Sequence, residues 1–323
     1  MTSGASVICA QCSGLLLAED RFCGECGRPV GPPPDPMPHG GRPDGRRGAF
    51  DAILGGLPLR ELLPMHRWWL EGVWRQGGAA LFLTMALAPF ILLQVTSHDT
   101  DVRRAAVGFA VYFAVLWLIA IRALVRPEPL GWPVFVGIVA FTTIAGVTFA
   151  ITVEKQLNAS TDTLLSSIIT VGFPEEVAKA LAVLICVWVA RGRWTPRTYL
   201  FAGAISGLAF GAAEAVTYTI AYATGLDLGG GLAVSLWRLL CDGLFHACMA
   251  GIVAFFIGLS TWYRTVRLQL IAFGLIVAGV LHGMYDHWAG DWVGAVLAAL
   301  TIFTFVGYVR SGEHIGGRLA GHL

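Results

Sequence analysis

Charge is what this chain has least of. Only 13% of its 323 residues are charged, while 56% are hydrophobic, and the mean hydropathy is +0.68. Those values exclude an ordinary soluble domain and point to a chain that crosses a membrane many times. A net charge of +1 provides no basic field, so no nucleic-acid partner is expected. The N-terminus has no basic start followed by an apolar run, so no cleavable signal peptide is expected. No convincing internal repeat relates the two halves.

The cysteines fall into two sets. Cys9, Cys12, Cys23 and Cys26 form a CxxC–x10–CxxC array. Two such knuckles complete a tetrahedral site with four thiolate ligands. The array predicts a zinc ribbon over residues 1–30 with a structural Zn2+ and no open coordination position. Such a module would suit a cytoplasmic protein partner. Paired disulfides are the alternative, disfavoured in the cytoplasm. Cys186, Cys241 and Cys248 lie in apolar segments and read as small buried hydrophobes.

Residues 31–58 are rich in Pro and Gly and predict a flexible linker. Residues 59–76 mix Trp68, Trp69 and Trp74 with Arg60, Arg67 and Arg75, a mixture suited to the membrane surface. From 77 to 310 the chain is almost continuously apolar. A span needs about 20 such residues. The breaks predict an all-α polytopic membrane domain of about eight transmembrane helices: 77–96, 105–125, 131–153, 163–190, 199–224, 230–259, 267–287 and 290–309. Arg122, Arg126, Arg191, Arg193, Arg197, Arg264, Arg267 and Arg310 flank one side of these spans. Arg103, Arg104 and Lys155 flank the other. That imbalance predicts a multi-pass cell-membrane protein in contact with lipid, with both termini cytoplasmic.

Against this background a few polar residues stand out. Glu175, Glu176 and Lys179 lie in the fourth predicted span, Glu214 in the fifth, Asp242 and His246 in the sixth, and His282 and Asp286 in the seventh. Each ionised group near a bilayer centre costs about 2.5–3.5 kcal/mol on insertion scales, so such groups read first as functional. The spans run in alternating directions, yet each group lies roughly 18–24 Å from the start of its own helix. The groups therefore converge near one depth and predict a shared polar chamber.

Spacing adds detail. Glu175 and Glu176 stand four and three residues before Lys179, so either can meet its ammonium. Pro174 frees a carbonyl one turn earlier and opens the helix locally. Phe210 and Glu214 are four apart on a span with Gly203, Gly207 and Gly211, a small-xxx-small strip that permits close helix contact. Arg238, Asp242 and His246 repeat at four-residue intervals, with a salt bridge expected between Arg238 and Asp242. Asp286 is placed to orient His282.

Peptide hydrolysis needs an activated water, oxyanion stabilisation and a proton for the leaving amine. A buried carboxylate can serve as general base, and a His or a metal can stabilise the developing charge. Glu176, Glu214, His246 and His282 make a plausible catalytic metal set. The residues leave glutamate-only and metal-assisted hydrolysis both open. Two other readings are open as well: a proton- or cation-coupled transporter, and a non-catalytic receptor or scaffold.

The ordered motifs Glu175-Glu176-x-x-Lys179, Phe210-x-x-x-Glu214, His246 and His282-x-x-x-Asp286 resemble those of the PrsW intramembrane proteases, relatives of the CAAX prenyl-protease and bacteriocin-processing superfamily. The resemblance covers about residues 160–290. It implies cleavage of membrane-anchored proteins such as anti-sigma factors. It implies that Glu175 and Glu176 activate water, that His246 and His282 stabilise the oxyanion or bind metal, and that Glu214 completes the site. Lys179 and Asp286 would support them. Glu214 stands where the wider superfamily has His, which argues against CAAX-type substrates.

Overall fold

The computed structural model describes residues 7–8, 15–16, 81–89, 102–190, 194–223, 231–263, 266–289 and 291–322. Near the N-terminus, strands β1 (Val7–Ile8) and β2 (Leu15–Leu16) pair antiparallel, Val7 with Leu16 and Ile8 with Leu15. The rest of the expected ribbon, the linker 31–58 and the interfacial segment 59–76 lie outside the described residues.

The remainder is helical. Helix α1 is Val102–Val125. Helices α2 (Trp132–Phe141) and α3 (Val147–Leu157) form one rod joined by a π-helical turn, Thr142–Gly146. Pro133 in the first turn of α2 suits a helix start, where its missing N–H is no loss. Asn158, in a left-handed conformation with φ of 51°, ends α3. The short α4 (Leu164–Ser166) begins at Thr163, whose side chain accepts from the Ser166 amide. A second π-helical turn, Ser167–Gly172, leads into α5 (Phe173–Ala190). It lies where Pro174 removes a backbone donor, so the expected local opening of the helix takes this form. Helices α6 (Pro196–Ala223), α7 (Gly231–Trp262), α8 (Arg267–His287) and α9 (Trp292–His322) complete the bundle.

Six helices among the described residues are long and apolar enough to cross a membrane, not eight. They are Ala106–Val125, Trp132–Leu157, Pro196–Ile220, Leu239–Trp262, Arg267–His287 and Trp292–Arg310. The expected span 77–96 is described only over 81–89. The expected span 163–190 is not among the six, because α5 carries Glu175, Glu176 and Lys179 within its first two turns. Its apolar length is thereby shortened, and its polar part is packed into the bundle.

Burial is inverted relative to a soluble protein. Val107, Val111, Val115 and Ile119 form an exposed apolar stripe on α1, and Trp132, Ile144, Trp188 and Trp292 are also exposed. Glu175, Glu176, Lys179, His246 and His282 are buried. Such a surface is stable only against lipid. Helices α6 and α7 form the most extensive pair in the bundle. A Cβ at Gly203 would overlap the Ala250 carbonyl, and one at Gly207 would overlap that of His246. The small-residue strip thus brings the two backbones together as expected.

Two contacts assign helix ends to opposite faces. The Glu128 amide donates to Thr198 Oγ1 at 3.1 Å, tying the α1–α2 connection to the start of α6. His287 Nδ1 lies 2.7 Å from the Thr161 carbonyl, tying the end of α8 to the connection before α4. A core that includes Leu200, Ile205, Phe255, Phe256 and Tyr308 fills the bundle.

Candidate active site

The polar residues singled out along the chain meet between α5, α6, α7 and α8. Lys179 is fully buried at the centre. Its ammonium donates to Glu175 Oε2 at 3.1 Å and to Glu176 Oε1 at 2.8 Å. It also lies 2.6 Å from His246 Nδ1. An ammonium can only donate, so this ring nitrogen must accept. The other nitrogen, Nε2, then carries the proton. It lies at ion-pair distance, 2.8 Å, from Glu214 Oε2, which sits off the ideal hydrogen-bond line.

His282 is fixed in the complementary way. Its Nδ1 lies 2.9 Å from Glu176 Oε1, a carboxylate that can only accept when ionised. The proton therefore sits on Nδ1, and in the neutral ring Nε2 keeps its lone pair. That nitrogen faces Glu175 Oε2 at 3.5 Å and Asp286 Oδ2 at 3.4 Å. Each imidazole thus turns its protonated nitrogen to a carboxylate and its bare nitrogen toward Glu175. Carboxylates commonly orient metal-binding histidines in this way.

The residue types and distances fit a metal. Ligand atoms of Glu175, His246 and His282 all lie within 4.8 Å of one another. Glu175 Oε2 is 3.8 Å from His246 Nδ1 and 3.5 Å from His282 Nε2. Atoms bonded at 2.0–2.2 Å to one tetrahedral ion stand roughly 3.3–3.6 Å apart, so Glu175 and His282 already stand at ligand spacing and the set closes on an ion by a small contraction around His246. Oxygens of Glu175 and Asp286 flank His282 Nε2 at 3.5 and 3.4 Å, a concentration of acceptors that calls for positive charge beyond the Lys179 ammonium. Glu176 Oε2, Glu214 Oε2 and Asp286 Oδ2 are buried without a hydrogen-bond partner, a cost normally offset by a ligand, ion or water.

This geometry corrects the expected cofactor assignment. Among the described residues the group able to hold a metal is Glu175, His246 and His282, in the middle of the chain. It is not N-terminal, and Cys9, Cys12, Cys23 and Cys26 lie outside the described residues. Within the site, Glu175 replaces Glu176 and Glu214 in the ligand group. Oε1 of Glu176 is occupied by Lys179 and His282, and Glu214 lies behind His246.

Other expected residues are accounted for in turn. The Phe210 ring lies under the Lys179 ammonium at 4.4 Å and packs near His246. Asp242 is buried one turn before His246 and is not among the converging ligand residues. The Arg238 side chain, and with it the expected Arg238–Asp242 bridge, lies outside the described residues. Cys186 and Cys248 are buried and Cys241 is partly so.

Sequence reasoning passed over three contributors. Ser206 donates to the Lys179 carbonyl at 2.9 Å, and Thr142 Oγ1 stands 2.8 Å from Ser206 Oγ. Since the serine hydrogen is committed, Thr142 is the donor. Thr142 opens the first π turn, so the two hydroxyls tie that turn through α6 to the α5 backbone at Lys179. Glu154 is the third. On α3 it stands one turn beyond Ala150, which packs with Ala178 and Phe210, and it lies within electrostatic reach of Glu175, Glu214, Lys179 and His282. Its position beside Lys155 at the end of a span made it look like a break.

A polytopic helical bundle with carboxylates, imidazoles and a metal-competent centre inside its lipid-facing shell defines an intramembrane hydrolase. The model of the PrsW family intramembrane metalloproteases matches residues 128–309, more than half of the chain and all of the cluster. The chain belongs to that family and is an intramembrane protease. No curated protein and no solved structure matches it.

Proposed function

We propose that the protein cleaves membrane-anchored protein substrates, of the anti-sigma-factor kind, by metal-assisted peptide hydrolysis inside the bilayer. The observation that carries this reading is the convergence of buried Glu175, His246 and His282 within 4.8 Å inside the bundle. These three would hold the metal. When bound it would polarise the scissile carbonyl and ease deprotonation of water.

The chain's own residues would do the rest. Glu176 and Glu214 would keep the His282 and His246 rings turned with their bare nitrogens inward. Glu214 and Asp286 are the most open of the cluster's carboxylates, with side chains 21% and 22% exposed. Asp286 has an unpartnered oxygen beside His282, so it is the acceptor we assign to the water proton and the donor to the leaving amine. In this reading the expected water-activating pair, Glu175 and Glu176, positions and binds rather than taking the proton. The helices packed around Glu175, Glu176, His246 and His282 would exclude bulk water there and strengthen these interactions.

The orientation belongs to the same proposal. Arg122, Arg126, Arg197, Arg267 and Arg310 lie at or beside the ends of the apolar spans that we place on the Glu128–Thr198 face. We assign that face, with the end of α9, to the cytoplasm. Co-expression with a tagged membrane-anchored substrate tests the function. Single replacement of Glu175, His246 or His282 by Ala should abolish the cleavage product. Undiminished cleavage by all three variants would end the proposal.

A further inference from the structure

The Lys179 ammonium and a metal cannot occupy this site together. The ammonium lies 3.1 Å from Glu175 Oε2 and 2.6 Å from His246 Nδ1, and those two atoms are 3.8 Å apart. An ion bonded to both at ~2.1 Å would stand no more than about 3 Å from Nζ, whichever side of the line between them it took. Two cations are not held so close without an anion between them. Resting on the proposed metal set, we infer that Lys179 is a tethered stand-in for the metal. It holds Glu175 and His246 in the ligand geometry before loading, and it must withdraw when metal binds.

The surroundings make such a withdrawal feasible. The ammonium has a third acceptor, Glu176 Oε1 at 2.8 Å, which is not in the ligand group. Its backbone does not need to move, because Ser206 holds the Lys179 carbonyl and Thr142 holds Ser206. Displacement is then a rotation of the side chain over the Phe210 face toward Glu176. Lys179 acts as a positioning residue: it opposes the metal it prepares the site for, and so lowers apparent metal affinity while keeping the empty site assembled.

The test is a titration of full-length protein in detergent with Co2+ alone, in a background with Cys9, Cys12, Cys23 and Cys26 replaced by Ser. Visible absorption reports coordination, and thermal unfolding reports stability. Lys179→Met should bind Co2+ at least about tenfold more tightly than its parent and gain a larger rise in unfolding temperature from the ion. If Lys179→Met folds only with Co2+ present, that too is the behaviour of a missing stand-in. The double variant Lys179→Met/Glu154→Gln restores the parent's net charge without touching a ligand or a ring-orienting carboxylate, and it should keep the tighter binding. Loss of the tightening there would reduce the effect to simple charge and overturn the inference. Lys179→Arg, which keeps a tethered cation, should bind no more tightly than the parent. Tightening by Lys179→Arg equal to that of Lys179→Met would overturn it as well. Co2+ binding that is abolished by His246→Ala but unchanged by Lys179→Met sinks this inference alone. Binding indifferent to His246→Ala sinks the metal-site reading beneath it.

Discussion

Glu176 Oε1 and His282 Nδ1 lie 2.9 Å apart although 106 positions separate them in the chain. Glu214 stands behind His246 in the same relation, at 2.8 Å. Neighbouring carboxylates on α5 therefore have different tasks: Glu175 faces the shared centre, and Glu176 holds a ring.

Removing an orienting carboxylate should loosen the metal without dismantling the bundle. Glu214→Ala is expected to lower Co2+ affinity about 10–100-fold, measured by titration in the background without N-terminal thiols. Equal affinity in variant and parent would show that Glu214 does not hold His246.

Helix spacing should set the position of His246. The Cβ of Gly207→Ala would overlap the His246 carbonyl, so α6 and α7 must part. Overpacking of this kind costs about 1–3 kcal/mol, and a shift of the reacting groups near 1 Å costs roughly 100-fold in rate. Gly243→Ala is the control on α7, since its Cβ would meet only Leu208 Cδ2 at an ordinary 3.6 Å. Unfolding temperature and cleavage should both fall for Gly207→Ala and hold for Gly243→Ala.

The Thr142–Ser206–Lys179 chain should behave as a unit. Ser206→Ala leaves the Lys179 carbonyl and the Thr142 hydroxyl short of partners, at a cost of about 1–3 kcal/mol. Adding Thr142→Val should cost less than the sum of the singles, with a coupling of about 0.5–3 kcal/mol. Additive losses in thermal or denaturant unfolding would show that the hydroxyls do not act together.

The exposed stripe on α1 should face lipid. Spin labels at Val107, Val111, Val115 and Ile119 are expected to show high oxygen and low water-borne relaxant accessibility. Labels at the buried Ala110 and Phe113 should be immobile and shielded from both. Strong contact of the stripe with the aqueous relaxant would place α1 outside the hydrocarbon.

The chemistry of the site was legible because charge is so rare in this chain. Glu175, Glu176, Lys179, Glu214, His246, His282 and Asp286 each interrupt an apolar helix, and lipid gives such residues nowhere to go but inward. Their division of labour was not legible. Adjacent glutamates differ by 100° of rotation about α5, and no apolar periodicity marks which of two polar neighbours faces inward. Ser206 and Thr142 were invisible because small hydroxyl residues satisfy their own helix backbone in many membrane segments. Glu154 was disguised by Lys155 beside it. The span count of eight is two too high for the described residues: 77–96 is described only over 81–89, and in the α4–α5 region hydrophobic length was counted straight through three charged side chains.

The most direct measurement is metal stoichiometry. Full-length protein with Cys9, Cys12, Cys23 and Cys26 replaced by Ser is loaded with Co2+, desalted and analysed by mass spectrometry, alongside the same protein carrying His246→Ala and His282→Ala. The account predicts about one equivalent of metal in the first and none in the second. Equal metal in both, or none in a parent that still cleaves its substrate, would contradict it.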